Sequence, residues 1–150
     1  MLSDKISTLK LQPPLTVQST ASIGQVVDEV QRRCVGCVLV YEGRSLVGIM
    51  TERDVLMKVV ARDVSSRYPV EQFMTPSPTT ITPNHTIGEA IDLISRTEMW
   101  YIPVIDPNTG QAVAIFSIRD VINYLAESFP EKVINLPPRP HQKMTTPEGA

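Results

Sequence analysis

Two short segments carry side chains able to do chemistry at a helix start. They are Thr51-Glu52-Arg53-Asp54 and Ser117-Ile118-Arg119-Asp120. In each, a hydroxyl residue stands three positions before an aspartate, with an arginine beside the carboxylate. In each, a strand-like apolar run ends just before the hydroxyl residue and a helical pattern begins just after it. One reading is structural: T-x-x-D is a capping arrangement, with Thr51 as N-cap and Asp54 at the third helical position. The other reading uses the same geometry. A helix N-terminus offers free N–H groups and the positive end of a dipole, which suit phosphate. A carboxylate placed there can accept hydrogen bonds from both hydroxyls of a ribose. Arg53 and Arg119 supply a cation for phosphate recognition. Gly48 removes a side chain where a ring or sugar would approach the backbone. The set occurs twice at equivalent places, which favours a function beyond capping.

A second feature is the pair Cys34 and Cys37, in C-x-x-C spacing. It suggests a redox pair or half of a zinc site. Zinc needs about four ligands, and the histidines His85 and His141 are remote in sequence. A thiol pair of the thioredoxin kind sits where a strand feeds a helix. Here the order is reversed, since Cys34 ends a helical pattern and Cys37 opens a strand. The expectation is a buried small hydrophobe and a helix-end thiol. His85 reads as a loop residue near a helix start, within reach of a phosphate.

These residues are positioned by a pattern that runs twice, about sixty-five residues apart. Thr16-Val17, Ser22-Ile23-Gly24, Val38-Leu39-Val40 and Gly48–Val55 recur as Thr80-Ile81, Thr86-Ile87-Gly88, Ile102-Pro103-Val104 and Ala114–Val121. The copies differ by a two-residue lengthening before Ile115. Ile23, Val26, Val27 and Val30 have helical spacing, as do Ile87, Ala90, Ile91 and Ile94. Both helices open with a capping box, Ser22-x-x-Gln25 and Thr86-x-x-Glu89. Strands follow at 37–41 and 101–105, turns at 42–44 and 106–110, returning strands at 46–50 and 112–116, and a second helix near Glu52 and near Ile118. Pro103 implies an edge position or a bulge. Each repeat therefore reads strand, helix, strand, strand, helix. The expected division is 8–66, 67–130 and a proline-containing tail, 131–150.

At 150 residues the chain is one compact unit or two very small ones. A core of about sixty residues is marginal alone, so the repeats are expected to share one. The formal charge of −2, without a Lys/Arg cluster, argues against a nucleic-acid surface. The N-terminal residues lack a signal-peptide pattern and no apolar run is long enough to span a bilayer. The expected location is cytoplasmic.

The doubled pattern resembles the cystathionine-β-synthase-type (CBS) domain pair, or Bateman module, over about residues 8–130. The signature glycine-hydrophobic-x-[T/S]-x-x-[D/N] stands as Gly48–Asp54 and, with Ala114 in place of glycine, as Ala114–Asp120. Phe73-Met74-Thr75-Pro76, leading into Thr80-Ile81, fits the start of a second repeat. The resemblance implies an α+β fold with a pseudo-two-fold pair of three-stranded sheets and helices outside. It implies a cleft for AMP, ADP, ATP or S-adenosylmethionine, with magnesium accompanying ATP. Asp54 and Asp120 would bind ribose, and Thr51 and Ser117 sugar or phosphate. Thr16, Val17, Thr80 and Ile81 would line the base, with Gly36, Cys37, Val38, Trp100, Tyr101 and Ile102. Trp100 stacks on adenine or packs in the fold. Ala114 narrows the second site, which favours the site around Thr51 and Asp54.

Three functions follow as alternatives: a regulatory nucleotide-sensing module signalling to a separate partner, a ligand-free dimerisation module, and a thiol enzyme. No nucleophile–base pair or glycine-rich phosphate loop supports a hydrolase, so no catalytic turnover is expected. The helices carrying Val55, Leu56, Met57, Val59 and Val60, and Val121, Ile122, Tyr124 and Leu125, have wide apolar arcs, which predict a homodimer.

Overall fold

A computed structural model describes residues 2–128; the proline-containing tail and His141 lie outside them. Two compact units divide the chain, the larger ending at Ile118 and the smaller starting at Arg119.

In the larger unit the first repeat builds β1 (Thr16–Gln18), α1 (Ile23–Arg33), β2 (Cys37–Glu42), β3 (Ser45–Thr51) and α2 (Glu52–Asp54). A π-helical stretch, Val55–Val60, continues α2. Then come β4 (Thr75–Pro76), α3 (Ile87–Thr97), β5 (Tyr101–Ile105) and β6 (Ala112–Ser117). The first sheet has the order β1-β2-β3-β4; β5 and β6 form a second, antiparallel sheet. The smaller unit begins inside α4 (Ile118–Ser128), where Val121 and Tyr124 are buried and Ile122 and Leu125 are not.

Both expected capping boxes form. Ser22 Oγ accepts from Gln25 N–H and Ser22 N–H donates to Gln25 Oε1. Thr86 and Glu89 repeat the arrangement. Thr86 N–H is the main reason the Glu89 carboxyl sits below its ordinary range. Both helices stop at a residue in the left-handed region, Cys34 and Glu98. Between β2 and β3 the chain turns at Gly43 with φ +62, a conformation that favours glycine.

Pairing across the repeats follows a reciprocal exchange. In the first repeat, Ile23 N–H donates to Tyr68 O, Gly24 N–H to Ser66 O and Val70 N–H to Ala21 O, while β4 pairs with β3. In the second, Ile87 N–H donates to Asp4 O, Gly88 N–H to Leu2 O and Ile6 N–H to His85 O, while Gln12 bridges Ile115. The N-terminal segment thus serves the second repeat as the connector between the repeats, residues 65–78, serves the first. Val70 and Ile6 hold matching short 3-10 turns and are both buried.

Pro103 accounts for a difference between the copies. In the first repeat Leu39 N–H donates to Leu15 O, and β1 pairs with β2 over three residues. Proline has no N–H to give at the equivalent place. The second repeat keeps only a bridge, Ile81 with Val104, so the strand expected at Thr80-Ile81 is reduced to one pairing. A register shift at Val104/Ile105 follows Pro103, and one at Val40/Tyr41 matches it in the first repeat.

One apolar cluster joins Leu15, Ile23, Val26, Val38, Val40, Met50, Val59 and Val70. A second joins Cys37, Leu39, Tyr41 and Ile49 of the first repeat to Ile115, with Tyr101 and Ala112 against it. The repeats share this second cluster, as their size requires. Val27, grouped by its helical spacing with core positions, is 38% exposed and lies outside both clusters.

Candidate functional site

The first signature is built at the end of β3. Thr51 caps α2: its Oγ1 accepts from Asp54 N–H at 3.1 Å, and its own N–H donates to Asp54 Oδ2 at 3.0 Å. The Thr51 hydroxyl also donates to Asp54 Oδ2 at 3.2 Å. The capping reading of T-x-x-D is therefore realised in full. Two residues outside the motif complete the surroundings of the carboxylate. Lys58, one turn along the helix, sits 3.2 Å from Asp54 Oδ1 and donates to Thr75 Oγ1 at 3.2 Å. Thr75, on β4, donates to Asp54 at 3.2 Å from Oδ1 and 3.3 Å from Oδ2. Lys58 was findable, because an aspartate and a lysine at i, i+4 on a helix are neighbours. Thr75 had no local signal, since β3 meets β4 only in the folded sheet.

Gly36 and Tyr101 also come together. A Cβ on Gly36 would lie 1.9 Å from Tyr101 Oη and 2.9 Å from a Glu52 carboxylate oxygen. Tyr101 Oη donates to Glu52 Oε1 at 3.1 Å, and Glu52 N–H donates to Gly36 O at 3.0 Å. Gly36 is thus needed for the approach of a side chain from the second repeat. Gly48 behaves likewise: a Cβ there would lie 2.2 Å from Met74 Sδ. The space expected for a sugar or ring at Gly48 is filled by Met74, so Ala114 in the second copy gives no ground for ranking the sites.

Of the other candidate residues, Cys37, Val38, Ile81 and Ile102 are buried, and Val17 packs on the first cluster. Thr16 is exposed. Trp100 is 62% exposed, so its side chain is not core packing; its carbonyl accepts from Ile118 N–H, as Gly36 O accepts from Glu52 N–H. Ser117 ends β6, and Arg119 and Asp120 lie in the first turn of α4. Arg53 is exposed. Thr80 lines a depression of about 580 Å³ with Arg44, Ser45, Ser77, Thr109 and Gln111, away from the Asp54 cluster. His85 Nδ1 accepts from Thr82 N–H at 2.9 Å and belongs to that loop.

The cysteines are free; Cys34 is exposed and Cys37 buried. Burial, with the Glu52 carboxylate adding to it, pushes the Cys37 thiol up to about 12. A thiol held protonated is a poor nucleophile, which weighs against the thiol-enzyme reading. Among the described residues no three of His, Cys, Asp and Glu gather as a metal site, and no helix is long and apolar enough to cross a membrane.

Doubled strand–helix junctions with T/S-x-x-D, on two sheets sharing a cluster, are those of a CBS domain pair. The CBS domain pattern matches residues 6–61 and 70–127, and the chain belongs to that family. It is 28% identical over 127 residues to an uncharacterised 17.7 kDa protein of Acidianus ambivalens, covering 84% of this chain and 76% of that one. It spans only 17% of a longer relative from Arabidopsis thaliana, the CBS domain-containing protein CBSCBSPB5. Among solved structures, the CBS domain protein PAE2072 of Pyrobaculum aerophilum, complexed with AMP, superposes with a TM-score of 0.72 at 26% identity, covering 82% of this chain and 98% of that one. The CBS domain pair of protein MJ0100, in complex with 5-methylthioadenosine and S-adenosyl-L-methionine, gives a TM-score of 0.74 at 21% identity, covering 83% and 97%. At that identity the likeness speaks to the fold.

Proposed function

We propose that the chain is a regulatory module that binds an adenosine-containing ligand between its CBS repeats and passes the bound state to a separate protein. One observation carries this reading: the chain repeats T/S-x-x-D at two strand–helix junctions and resembles an AMP-complexed protein in both sequence and fold. Asp54 accepts the ribose hydroxyls, Thr51 holds the helix start, and Arg53 offers its guanidinium to phosphate. Gly36, Cys37, Val38, Thr16 and Val17 flank the base. The candidate ligands are AMP, ADP, ATP and S-adenosylmethionine, with magnesium accompanying ATP. The module binds its ligand without turning it over.

A thermal-shift panel of these four ligands at near-millimolar concentration is the test. A ligand bound only by the folded state raises the midpoint. Calorimetry on Asp54→Asn then assigns the residue: a hydrogen bond to a charged group contributes about 1.5–3 kcal/mol, so affinity falls about ten- to a hundredfold. Unchanged affinity in the folded variant removes Asp54 from the site.

A ligand-free dimerisation module is the second reading. It is favoured by the donors within the chain that already occupy Asp54, and by the exposed Leu56, Met57 and Val60. No shift with any ligand, together with a dimeric mass, selects it.

A further inference from the structure

We infer that Lys58 and Thr75 compete with the ligand for the Asp54 carboxylate, and that they set the affinity of the Asp54 site. The inference rests on the adenosine-binding reading and concerns how that site is controlled. An ionised carboxylate offers about four lone-pair positions. The Thr51 N–H and hydroxyl both point at Oδ2. The Lys58 ammonium takes Oδ1, the Thr75 hydroxyl lies 3.2 Å from Oδ1 and 3.3 Å from Oδ2, and Lys58 closes a triangle by donating to Thr75. The Thr51 contacts lie within the cap, three residues from Asp54, and survive ligand binding. The Oδ1 contacts come from a neighbouring strand and from one turn down the helix. A ribose hydroxyl that donates to Oδ1 must displace them.

The two competitors differ in what their release does. Lys58 has a side chain about one-third exposed, so its ammonium regains water at little cost. Thr75 is held in β4, where it pairs with Ile49, and it belongs to the connector between the repeats. Its hydroxyl loses a charge-assisted hydrogen bond when ligand binds. Ligand binding at Asp54 therefore loosens the tie between α2 and the connector, which gives the module a route from occupied site to altered surface.

The test is calorimetry with AMP on the full chain and on Thr75→Val and Lys58→Met. Valine keeps the β-branched shape of threonine and removes the hydroxyl. Methionine keeps most of the lysine stem and removes the charge. Each variant should bind AMP about tenfold more tightly than wild type, about 1.4 kcal/mol. A role for these residues only in the fold would leave affinity unchanged or lower it. Wild-type binding without a gain in the variants overturns the competitor and leaves the adenosine reading standing. Binding by the variants with a silent wild type supports both. Silence from all three overturns both. If Thr75→Val fails to fold, Lys58→Met decides, since its position is partly exposed and its partner hydroxyl remains on β4.

Discussion

The two cysteines show how position decides chemistry for one residue type. Cys34 closes α1 in the left-handed region and is exposed; Cys37 opens β2 and is buried within the shared cluster. With the Cys37 thiol pushed up to about 12, a thiol reagent at pH 8 should label one cysteine promptly in the native chain. Cys34→Ser should abolish that fast phase, and mass spectrometry of the labelled chain reads it. Rapid labelling of Cys37 would contradict its burial. The same shift sets a pH dependence. The folded thiol ionises well above the ordinary value of about 9 that holds in the unfolded chain. Below about 9 both states hold the proton and the contribution is fully present. From there upward the unfolded thiol gives up its proton first, so stability falls as pH rises toward 12. Denaturant titrations at pH 8 and pH 10.5 should give a lower midpoint at the higher pH. Cys37→Ala, compared at the same two values, should show a smaller drop.

At the scale of elements, the copies are held by close approaches that only a glycine permits. Gly36 lets Tyr101 cross from the second repeat to Glu52, and a methyl there meets a rigid ring. Gly36→Ala should therefore destabilise the chain by about 1–3 kcal/mol. Gly48→Ala should cost less, because the atom it meets is the flexible Met74 thioether. Equal costs in urea unfolding would contradict this account of the two glycines. The exchanged N-terminal segment has its own test. Ile6 is buried, so Ile6→Ala should cost about 2–5 kcal/mol, as for other buried aliphatic truncations. Hydrogen exchange in that variant should rise at the start of α3, whose Ile87 and Gly88 N–H groups are held by Asp4 and Leu2. A rise confined to residues 2–9 would count against the exchange. The helices, their caps and the hairpins were legible because each depends on residues within a few positions: Ser22 with Gln25, Thr86 with Glu89, Gly43 in its turn. The exchange was not legible, because Leu2 and Ser66 meet their helices through backbone groups that any residue carries. Val27 shares the helical spacing of Ile23 and Val26 and is nevertheless exposed, for a related reason. Helical spacing gives an apolar stripe and does not say how far the neighbouring elements cover it. Asp54 was legible as a cap and as a candidate ligand group. Its tie to Thr75 depended on a strand pairing that no local pattern announces.

At the scale of the whole molecule, the repeat made a shared core the expected solution, and Ile115 joining Leu39 and Ile49 in one cluster is that solution. What a shared core leaves uncovered bears on assembly. In the π-helical stretch after α2, Val59 is buried, while Leu56 is 57%, Met57 54% and Val60 64% exposed. Ile122 and Leu125 of α4 add further apolar side chains outside the buried set. Scattered single apolar residues on a surface are ordinary, but three within one short helical stretch form a patch of the kind that associates. A two-fold pairing places such a patch against its own copy and closes the assembly at two chains. The expected outcome is a homodimer in light scattering at tens of micromolar, and a monomer there ends the idea. Met57→Glu puts a charge into the patch without touching either core cluster. It should shift the equilibrium toward monomer on dilution while the thermal midpoint of the monomer and its far-ultraviolet spectrum stay those of a folded chain. A variant that remains dimeric would move the interface away from this helix, and Ile122→Glu on α4 would then be the substitution that locates it.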